Sequence, residues 1–329
     1  MHIVVLSGGV GGSRFIRGLL AATTPDDRVT VVANTADDIW LFGLRVCPDL
    51  DTVMYTLGDG IDTERGWGRT DETWNAKSEL GAYGVPEAWF GLGDRDLATH
   101  LVRTEMLRAG DGLTAATDRL CARWSPDTDL ERIRLLPMTE DEVETWISTT
   151  VDGSPTDIHF QEFWIRHHAG VPVHGVTQRG IEAATPAPGV LEAIADADVV
   201  VLPPSNPIVS VGPILAVPGI RDALRDAAAP VVGVSPIIGG GAVRGMADQL
   251  LAGLGIENSA AAVGLLHGAR SADGVLDGWL VDTADADLLP RLEDGGVTAR
   301  AVPLWMTDDA TTRQLAADAL ALAAELARG

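Results

Sequence analysis

The chain has 329 residues, of which 46% are hydrophobic, and its formal net charge of −23 comes from 24 basic and 47 acidic side chains. So acidic a surface argues against nucleic-acid binding, which relies on neutralising phosphates. The longest apolar runs are too short to span a bilayer, no signal peptide is evident, and the two cysteines cannot build a disulfide framework. We therefore expect a cytoplasmic protein that binds neither nucleic acid nor membrane.

The first forty or so residues predict a βαβ unit. A buried strand over residues 2–6 leads into the glycine turn Gly8–Gly12, a helix follows over Ser13–Ala22, and the next strand is Val29–Ala33. Because strands joined through a helix in this way cross over with a right hand, the two strands should lie parallel.

Later segments repeat this alternation of strand and helix. We predict helices over 190–197, 214–227 and 309–328, and strands over 199–202 and 231–234. The alternation indicates an α/β fold, namely a Rossmann-like, doubly wound and mostly parallel sheet.

Two regions depart from this alternation. Residues 94–124 predict two helices joined at Gly110–Gly112. Residues 145–165 predict an antiparallel hairpin, with strands over Thr145–Val151 and Ile158–Ile165 and with His159 as a structural residue.

No internal repeat or flexible linker is evident, so we predict a compact chain. The prediction is one α/β domain over residues 1–329 that carries a small inserted antiparallel and helical subdomain around residues 140–185.

The glycine turn is the first candidate binding element. Its backbone can approach a ligand closely, and the following helix offers free N–H groups to an anion. The turn differs from the dinucleotide fingerprint, whose third glycine would fall at Arg14, and from the P-loop, because no Gly-Lys-Ser/Thr follows. A plain strand-to-helix turn is the alternative, but four glycines at a sheet edge favour anion binding.

Carboxylates follow the second strand at the same predicted edge. Asp37 and Asp38 lie in Asn34–Asp38, and Asp51 follows after a short connection. Two or three carboxylates beside a phosphate site suit Mg²⁺. Helix capping is an equal alternative, since Asp49 and Asp51 also suit the start of a helix near Thr52.

A third cluster surrounds Gly93-Asp94-Arg95-Asp96. Asp94 or Asp96 is predicted to cap a helix that carries His100 and Arg103. Offsets of four and seven residues from Asp96 put these side chains on one helix face. The spacing alone favours an exposed, salt-bridged face.

Two further strands end in polar, proline-framed loops. Val199–Leu202 leads into Pro203–Pro207, and Val231–Val234 leads into Ser235–Gly241. Open α/β sheets bind ligands at the carboxyl ends of their strands. Together with the glycine turn, these loops predict one shared ligand crevice.

The chain resembles the 2-phospho-L-lactate transferases of coenzyme F-420 biosynthesis over nearly its whole length. The segments that carry the resemblance, in the same order and with similar spacing, are 8–12, 34–38, 48–52, 93–96 with His100, 159–162, 204–207 and 235–238. The tryptophan-rich stretch 66–74 is similar to the actinobacterial branch, called phosphoenolpyruvate transferases.

The resemblance implies a Mg²⁺-dependent transferase that forms a homodimer. Its acceptor would be the ribityl hydroxyl of the deazaflavin Fo, its donor a guanosine-diphosphate-linked phosphoenolpyruvyl or phospholactyl group, and its leaving group GMP. The sequence leaves the choice between the two donors open.

Phosphoryl transfer requires neutralised charge and an in-line approach, and we assign roles accordingly. Asp37 and Asp51 are the predicted magnesium ligands and catalytic residues, with Asp38 as a third ligand or a support for the other two. Asp51 or the metal would deprotonate the acceptor alcohol. The predicted donor-binding residues are Gly8, Gly9, Gly11, Gly12, Ser13, Asn34, Ser205, Asn206, Pro207 and Ser235.

The flat deazaflavin ring calls for an aromatic or guanidinium neighbour. Trp40, Trp67, His100 and Arg103 are the candidates, with core packing as the alternative for each tryptophan. Gly241 stands where many relatives carry a lysine, and Arg244 is the predicted substitute if that lysine binds the donor phosphates.

Two other classes of function remain as alternatives. A non-catalytic regulator of the same superfamily, which binds nucleotide sugars, would share the glycine turn but not the complete Asp49–Asp51 and Asp94–His100 segments. An NAD-dependent oxidoreductase is disfavoured by the failed fingerprint and by the second acid beside Asp37.

Overall fold

The computed structural model describes residues 1–243 and 245–328. Its strands, in chain order, are β1 (His2–Ser7), β2 (Arg28–Ala33), β3 (Ile39–Leu41), β4 (Leu44–Val46), β5 (Ile133–Pro137), β6 (Glu144–Val151), β7 (Ser154–His159), β8 (Gly175–Arg179), β9 (Val199–Leu202), β10 (Val231–Val234), β11 (Ile237–Ile238), β12 (Gly241–Ala242), β13 (Gly278–Val281) and β14 (Thr298–Ala301).

The α-helices connect and flank these strands. They are α1 (Val10–Ala22), α2 (Pro48–Leu57), α3 (Asn75–Ala82), α4 (Asp96–Ala109), α5 (Leu113–Trp124), α6 (Val190–Ala195), α7 (Val211–Ala216), α8 (Ile220–Asp226), α9 (Ala247–Gly253), α10 (Ala260–His267), α11 (Leu289–Asp294) and α12 (Asp309–Leu326). Among the described residues, no helix is both long enough and apolar enough to cross a membrane.

A seven-stranded sheet forms the centre of the fold, in the order β14-β13-β10-β9-β1-β2-β5. All of its neighbouring strands pair parallel. The chain proceeds from β1 to β2 on one side and later returns to place β9 on the other side. The strand order therefore reverses at β1, and a crevice opens there at the carboxyl ends of β1 and β9, which is where such sheets bind ligands.

The strand β1 contributes to a hydrophobic core on each face of the sheet. Ile3 and Val5 pack with residues of α1, α2 and α12, whereas Val4 and Leu6 pack with residues of α6, α7 and α10. A strand covered on both faces must be apolar throughout, which explains the unbroken run after His2. Burying each such side chain stabilises the fold by roughly 1.5–3 kcal/mol relative to exposure.

The predicted α/β fold with a parallel sheet is confirmed. The first helix begins earlier than predicted, at Val10 instead of Ser13, so part of the glycine turn forms its first turn.

The region 214–227 holds two helices, because Pro218 and Gly219 separate α7 from α8 and Gly219 has φ 95°. The two helices predicted in 94–124 are present, and Gly110 ends the first of them with φ 95°.

The hairpin prediction is correct for its first strand and wrong for its second. β7 covers Ser154–His159, and a π-helical turn over Glu162–Arg166 replaces the predicted continuation of the strand to Ile165. Most of β7 is exposed at a sheet edge, so no apolar alternation marks it. Phe160 and Phe163 pack together instead, with ring centroids 6.4 Å apart.

A third strand, β8, pairs with β6 to complete a separate antiparallel sheet in the order β7-β6-β8. This sheet lies between β5 and α6 in the chain. The single domain and the bounds 140–185 of the insertion stay predictions.

Candidate functional site

A cavity of about 560 Å³ opens at the carboxyl ends of β1 and β9. Segments that are far apart in the sequence meet around it. The polar and backbone part of its lining includes Gly9, Val10, Gly11, Arg14, Asp37, Asp49, Arg65, Pro204, Ser205, Asn206, Ser210, Ser235 and Pro236.

The glycine turn packs directly against the other loops of this cavity. A Cβ atom on Gly9 would come within 2.5 Å of Asp49 Oδ1, and one on Gly11 within 2.3 Å of the Pro204 carbonyl oxygen. Gly8 N–H donates to Ser205 Oγ over 3.2 Å. The glycines are thus required by close approach of the protein's own loops, and α1 begins without a side-chain cap at the cavity wall.

Asp37 and Asp49 are the carboxylates that line the cavity. Asp37 Oδ1 is buried and has no hydrogen-bond partner in the part of the chain that the structure describes, and Asp49 Oδ2 accepts from Asn34 Nδ2 over 2.9 Å. Burial and the neighbouring Asp49 and Asp38 carboxylates raise the pKa of Asp37 well above its usual range. Burial raises the pKa of Asp49 to about 6. A buried and a half-buried carboxylate in one cavity suit a hard cation such as Mg²⁺.

The adjacent acids point elsewhere. Asp38 lies 3.4 Å from the Arg45 guanidinium, and Asp51 accepts two hydrogen bonds from Arg103, one of them over 3.1 Å. The predicted set Asp37, Asp38 and Asp51 therefore does not meet at the cavity. Within residues 1–243 and 245–328, no group of three or more His, Cys, Asp or Glu side chains could hold a metal ion.

Asp49 enters the site because α2 begins at Pro48, four residues before the predicted start near Thr52. Asp49 and Asp51 then both lie in the first turn, where two residues correspond to about 200° of rotation around the helix axis. They must face in nearly opposite directions. Proline at the first position of a helix was the available signal for this start.

The cluster on α4 is buried, so the prediction of an exposed face is wrong. His100 and Arg103 are both 1% exposed. His100 Nδ1 lies 3.2 Å from Arg103 Nη1, and His100 Nε2 lies 3.4 Å from Asp96 Oδ2. Asp96 also accepts from Tyr55 Oη over 2.6 Å. Neither His100 nor Arg103 lines the cavity, and their expected role in ring binding stays a prediction.

The capping prediction for this helix also requires correction. Arg95 precedes α4 as its N-terminal flanking residue and makes no side-chain capping bond. Asp94 instead accepts from the backbone N–H groups of Asn75 and Ala76, over 3.0 and 2.9 Å, and so stabilises the start of α3.

The remaining predicted donor-binding residues divide into two groups. Ser205, Asn206 and Ser235 line the cavity, whereas Ser13 and Pro207 do not. Asn206 Oδ1 accepts from the N–H groups of Ile208 and Val209 over 2.9 and 3.2 Å, so its side chain shapes the loop.

The two tryptophans predicted to contact the ring are placed differently. Trp67 lines the cavity. Trp40 lies outside it and donates from Nε1 to Glu142 Oε1 over 2.9 Å. Arg244 lies outside the described residues, and Gly241 belongs to β12.

An apolar part of the cavity was not predicted. It consists of Phe160, Trp164, Val209, Val243, Met246, Leu304, Trp305 and Met306. These residues belong to loops, turns and helix ends, where no periodic pattern marks them. The only feature of the sequence that could have indicated this apolar lining was a tryptophan outside any periodic segment.

A second cavity of about 750 Å³ lies along another side of α1. Its lining includes Ser13, Arg17 and Arg132, but the arginines are already bonded to main-chain oxygens of Thr56 and Leu20. Neither of its two carboxylates, Asp129 and Asp309, is buried, whereas Asp37 of the first cavity is. The first cavity is therefore the candidate active site.

Solved structures share this fold. Protein BH3568 from Bacillus halodurans superposes with a TM-score of 0.62 at 19% identity, over 97% of this chain and 99% of that one. At this level of identity the likeness concerns the fold alone.

Sequence comparison is more specific. The family model of 2-phospho-L-lactate transferase CofD matches residues 3–316. A phosphoenolpyruvate transferase of Streptomyces coelicolor is 59% identical over 99% of both chains, and one of Kitasatospora aureofaciens is 57% identical over 100% of both. The chain therefore belongs to the 2-phospho-L-lactate transferase family and is a transferase enzyme.

Proposed function

We propose that this chain moves a phosphoenolpyruvyl group from a guanosine-diphosphate-linked donor to the ribityl hydroxyl of Fo and releases GMP, with Mg²⁺ as its metal. Its family makes it a transferase of coenzyme F-420 biosynthesis. The names of its relatives favour phosphoenolpyruvyl over phospholactyl as the transferred group. The observation that carries the proposal is the pair of carboxylates beside the glycine turn, of which Asp37 is buried and Asp49 is half-buried.

The carboxylate pair fits a metal ion whose remaining ligands come from the substrate. Mg²⁺ is commonly held by one or two carboxylates together with phosphate oxygens, so the absence of a third acidic ligand among the described residues is no obstacle. Asp37 and Asp49 would hold Mg²⁺, which when bound neutralises charge on the diphosphate. Asn34 orients Asp49 through its 2.9 Å hydrogen bond.

Backbone groups would bind the rest of the donor. The first turn of α1 begins at Val10, and its N–H groups lie at the positive end of the helix. The 204–206 loop forms the facing wall of the cavity. A diphosphate between the two would lie beside the Asp37–Asp49 pair.

The transfer itself is a substitution at phosphorus. The ribityl oxygen attacks the phosphorus atom that carries the enolpyruvyl group, and the bond from that phosphorus to the bridging oxygen breaks. GMP leaves with the bridging oxygen and its electron pair, and the hydroxyl proton is released to water. The product is a phosphodiester of the deazaflavin.

Mass spectrometry of reaction products tests this proposal. The protein is incubated with Mg²⁺, Fo and each guanosine-linked donor in turn, and a new deazaflavin phosphodiester with one equivalent of GMP is expected. Asp37→Asn and Asp49→Asn should remove product formation, whereas Asp111→Asn, at an exposed site, should not. Tight binding of guanosine nucleotides or of a UDP-sugar without product from either donor would instead favour a non-catalytic regulator.

The homodimer and the cytoplasmic location are part of the same proposal. A homodimer should sediment at twice the chain mass of 34.5 kDa. Sedimentation equilibrium at several protein concentrations measures this directly, and a mass of one chain throughout would exclude the dimer.

A further inference from the structure

Three tryptophans with large exposed fractions line the same cavity. Trp67, Trp164 and Trp305 are 42%, 38% and 51% exposed. They come from the α2–α3 connection, from the π-helical turn after β7 and from the segment between β14 and α12. Exposed aromatic surface that converges in a concave site is unfavourable in water, and its usual explanation is a ligand that covers it.

The position of Trp164 is fixed because the π-helical turn that carries it is packed against the protein. Phe163 is fully buried in a cluster with Ile147 and Phe160, so the turn is fixed through that side chain. Its neighbour Trp164 lines the cavity. Single π-helical turns are rare and occur frequently at functional sites, which fits a turn whose role is to present one aromatic side chain.

Trp305 is held by the residues on both sides of it. Leu304 is 3% exposed and belongs to the core on one face of the sheet. The carbonyl oxygen of Met306 accepts a hydrogen bond from Arg14 Nη2 over 2.7 Å, which attaches this segment to α1. The indole between these two anchors remains about half exposed in the cavity.

Trp67 is supported by a stack of cation and aromatic rings. The Arg65 guanidinium lies 5.4 Å from the ring centroid of Trp67 and 4.9 Å from that of Trp74. Arg65 also pairs with Asp62 over 2.6 Å. These contacts hold the indole at the cavity wall before any ligand binds.

The lining of the cavity combines two kinds of residue. Asp37, Asp49 and the glycine turn supply its polar part, whereas the tryptophans, Phe160 and Met246 supply its apolar part. A guanine base needs hydrogen-bonding partners for its edge, and the apolar part supplies few of them. A larger flat ring with an alcohol-bearing chain matches both parts, because its ring covers indole surface while its hydroxyl reaches the carboxylates.

We propose that Trp164 and Trp305 bind the flat tricyclic ring of the acceptor and determine acceptor specificity, with Trp67 at the edge of the same subsite. This inference rests on the proposed function. It assigns acceptor binding to side chains of the apolar part and leaves donor binding to the polar part.

Titration with fluorescent Fo and steady-state kinetics test the assignment. Trp164→Ala and Trp305→Ala should each weaken Fo binding by about ten-fold or more, because stacking and apolar contact are lost. Trp164→Phe and Trp305→Phe should retain most of the affinity. The affinity for a guanosine nucleotide should stay within about two-fold of wild type in all four variants.

Tyr83→Ala is the matched control, because Tyr83 is 83% exposed and does not line the cavity. Energy transfer from tryptophan to bound Fo gives a second readout, and it should fall in both phenylalanine variants. Circular dichroism verifies that every variant is folded.

The outcomes separate the inference from the proposed function. If wild type binds and modifies Fo while the alanine variants retain wild-type Fo affinity, the inference is wrong and the proposed function stands. Loss of guanosine nucleotide affinity with unchanged Fo affinity would assign the indoles to the donor base and also overturn the inference. If wild type forms no product from either donor, the proposed function itself fails.

Discussion

Arg103 on α4 holds Asp51 on α2 through two hydrogen bonds, although 52 residues separate them in the chain. Both side chains are buried, Arg103 being 1% and Asp51 being 5% exposed. The pair fixes the first turn of α2 from its inner side, and Asp49 in the same turn then faces the cavity. The neighbouring acids Asp37 and Asp38 are arranged in the same way. Asp38 pairs with Arg45 in the protein interior, whereas Asp37 lines the cavity. We therefore expect Asp51 to act as a positioning residue, and its role as a metal ligand stays a prediction that the substitutions below can test.

Removing Arg103 should destabilise the protein strongly. Arg103→Ala leaves Asp51 buried without its cation, and breaking a buried pair in this way typically costs about 3–5 kcal/mol in the free energy of unfolding. Urea unfolding of wild type, Arg103→Ala, Asp51→Asn and the double variant measures the coupling between the two residues. If each single substitution lowers the free energy of unfolding by less than about 1 kcal/mol, solvent screens the pair.

Substitution of three neighbouring acids, Asp37, Asp49 and Asp51, should separate metal binding from stability. We expect Asp37→Asn and Asp49→Asn to weaken Mg²⁺ binding and to lower kcat by about a hundred-fold or more, because both carboxylates line the cavity. Asp51→Asn should lower the unfolding free energy with a smaller change in Mg²⁺ affinity. Calorimetric Mg²⁺ titration distinguishes variants that lose metal binding from variants that lose only stability. An Asp51→Asn variant that loses Mg²⁺ as severely as Asp49→Asn would restore Asp51 as a ligand.

Adding a methyl group to the glycine turn should disrupt the site. The new Cβ of Gly9→Ala would lie 2.5 Å from Asp49 Oδ1, so Asp49 or the turn must move. Donor affinity should fall by about ten-fold or more, as measured by nucleotide titration.

Gly81→Ala is the matched control, because Gly81 lies in α3 and its added Cβ meets nothing within 4 Å. Helix propensity predicts that this control gains about 0.5–1 kcal/mol of stability with unchanged donor affinity. Equal effects of the two substitutions would show that close packing at Gly9 is unimportant.

Magnesium affinity should depend on pH around the pKa of Asp49. Burial raises that pKa to about 6 in the metal-free protein, and burial together with the Asp49 and Asp38 carboxylates raises the pKa of Asp37. Each carboxylate must lose its proton to bind the cation, so affinity should fall as pH drops below about 6 and level off well above the pKa of both groups.

Titration calorimetry in buffers with different ionisation enthalpies counts the protons released on binding. Release should be greatest where both acids are protonated in the metal-free protein. Magnesium affinity that stays constant from about pH 5 to about pH 8 would exclude this pair as the ligands.

Several features of the fold were predictable because they depend on neighbours along the chain. The apolar run 2–6 followed by glycines predicts a buried strand and a turn, and the Val199–Leu202 and Val231–Val234 strands have the predicted bounds. The failures occur where partners are distant or exposed. Most of β7 is exposed, so it lacks the alternation that reveals a half-buried strand.

The sequence by itself determined the parallel α/β sheet and the collection of glycine, acidic and proline-framed loops at one edge, because hydrophobic periodicity and strand direction are local properties. Only the tertiary structure decided which acids face the cavity. Asp37 and Asp49 line the cavity, whereas Asp38 and Asp51 pair with Arg45 and Arg103 from other elements. The same holds for Trp164 and Trp305, since the cavity they share exists only after distant segments pack together.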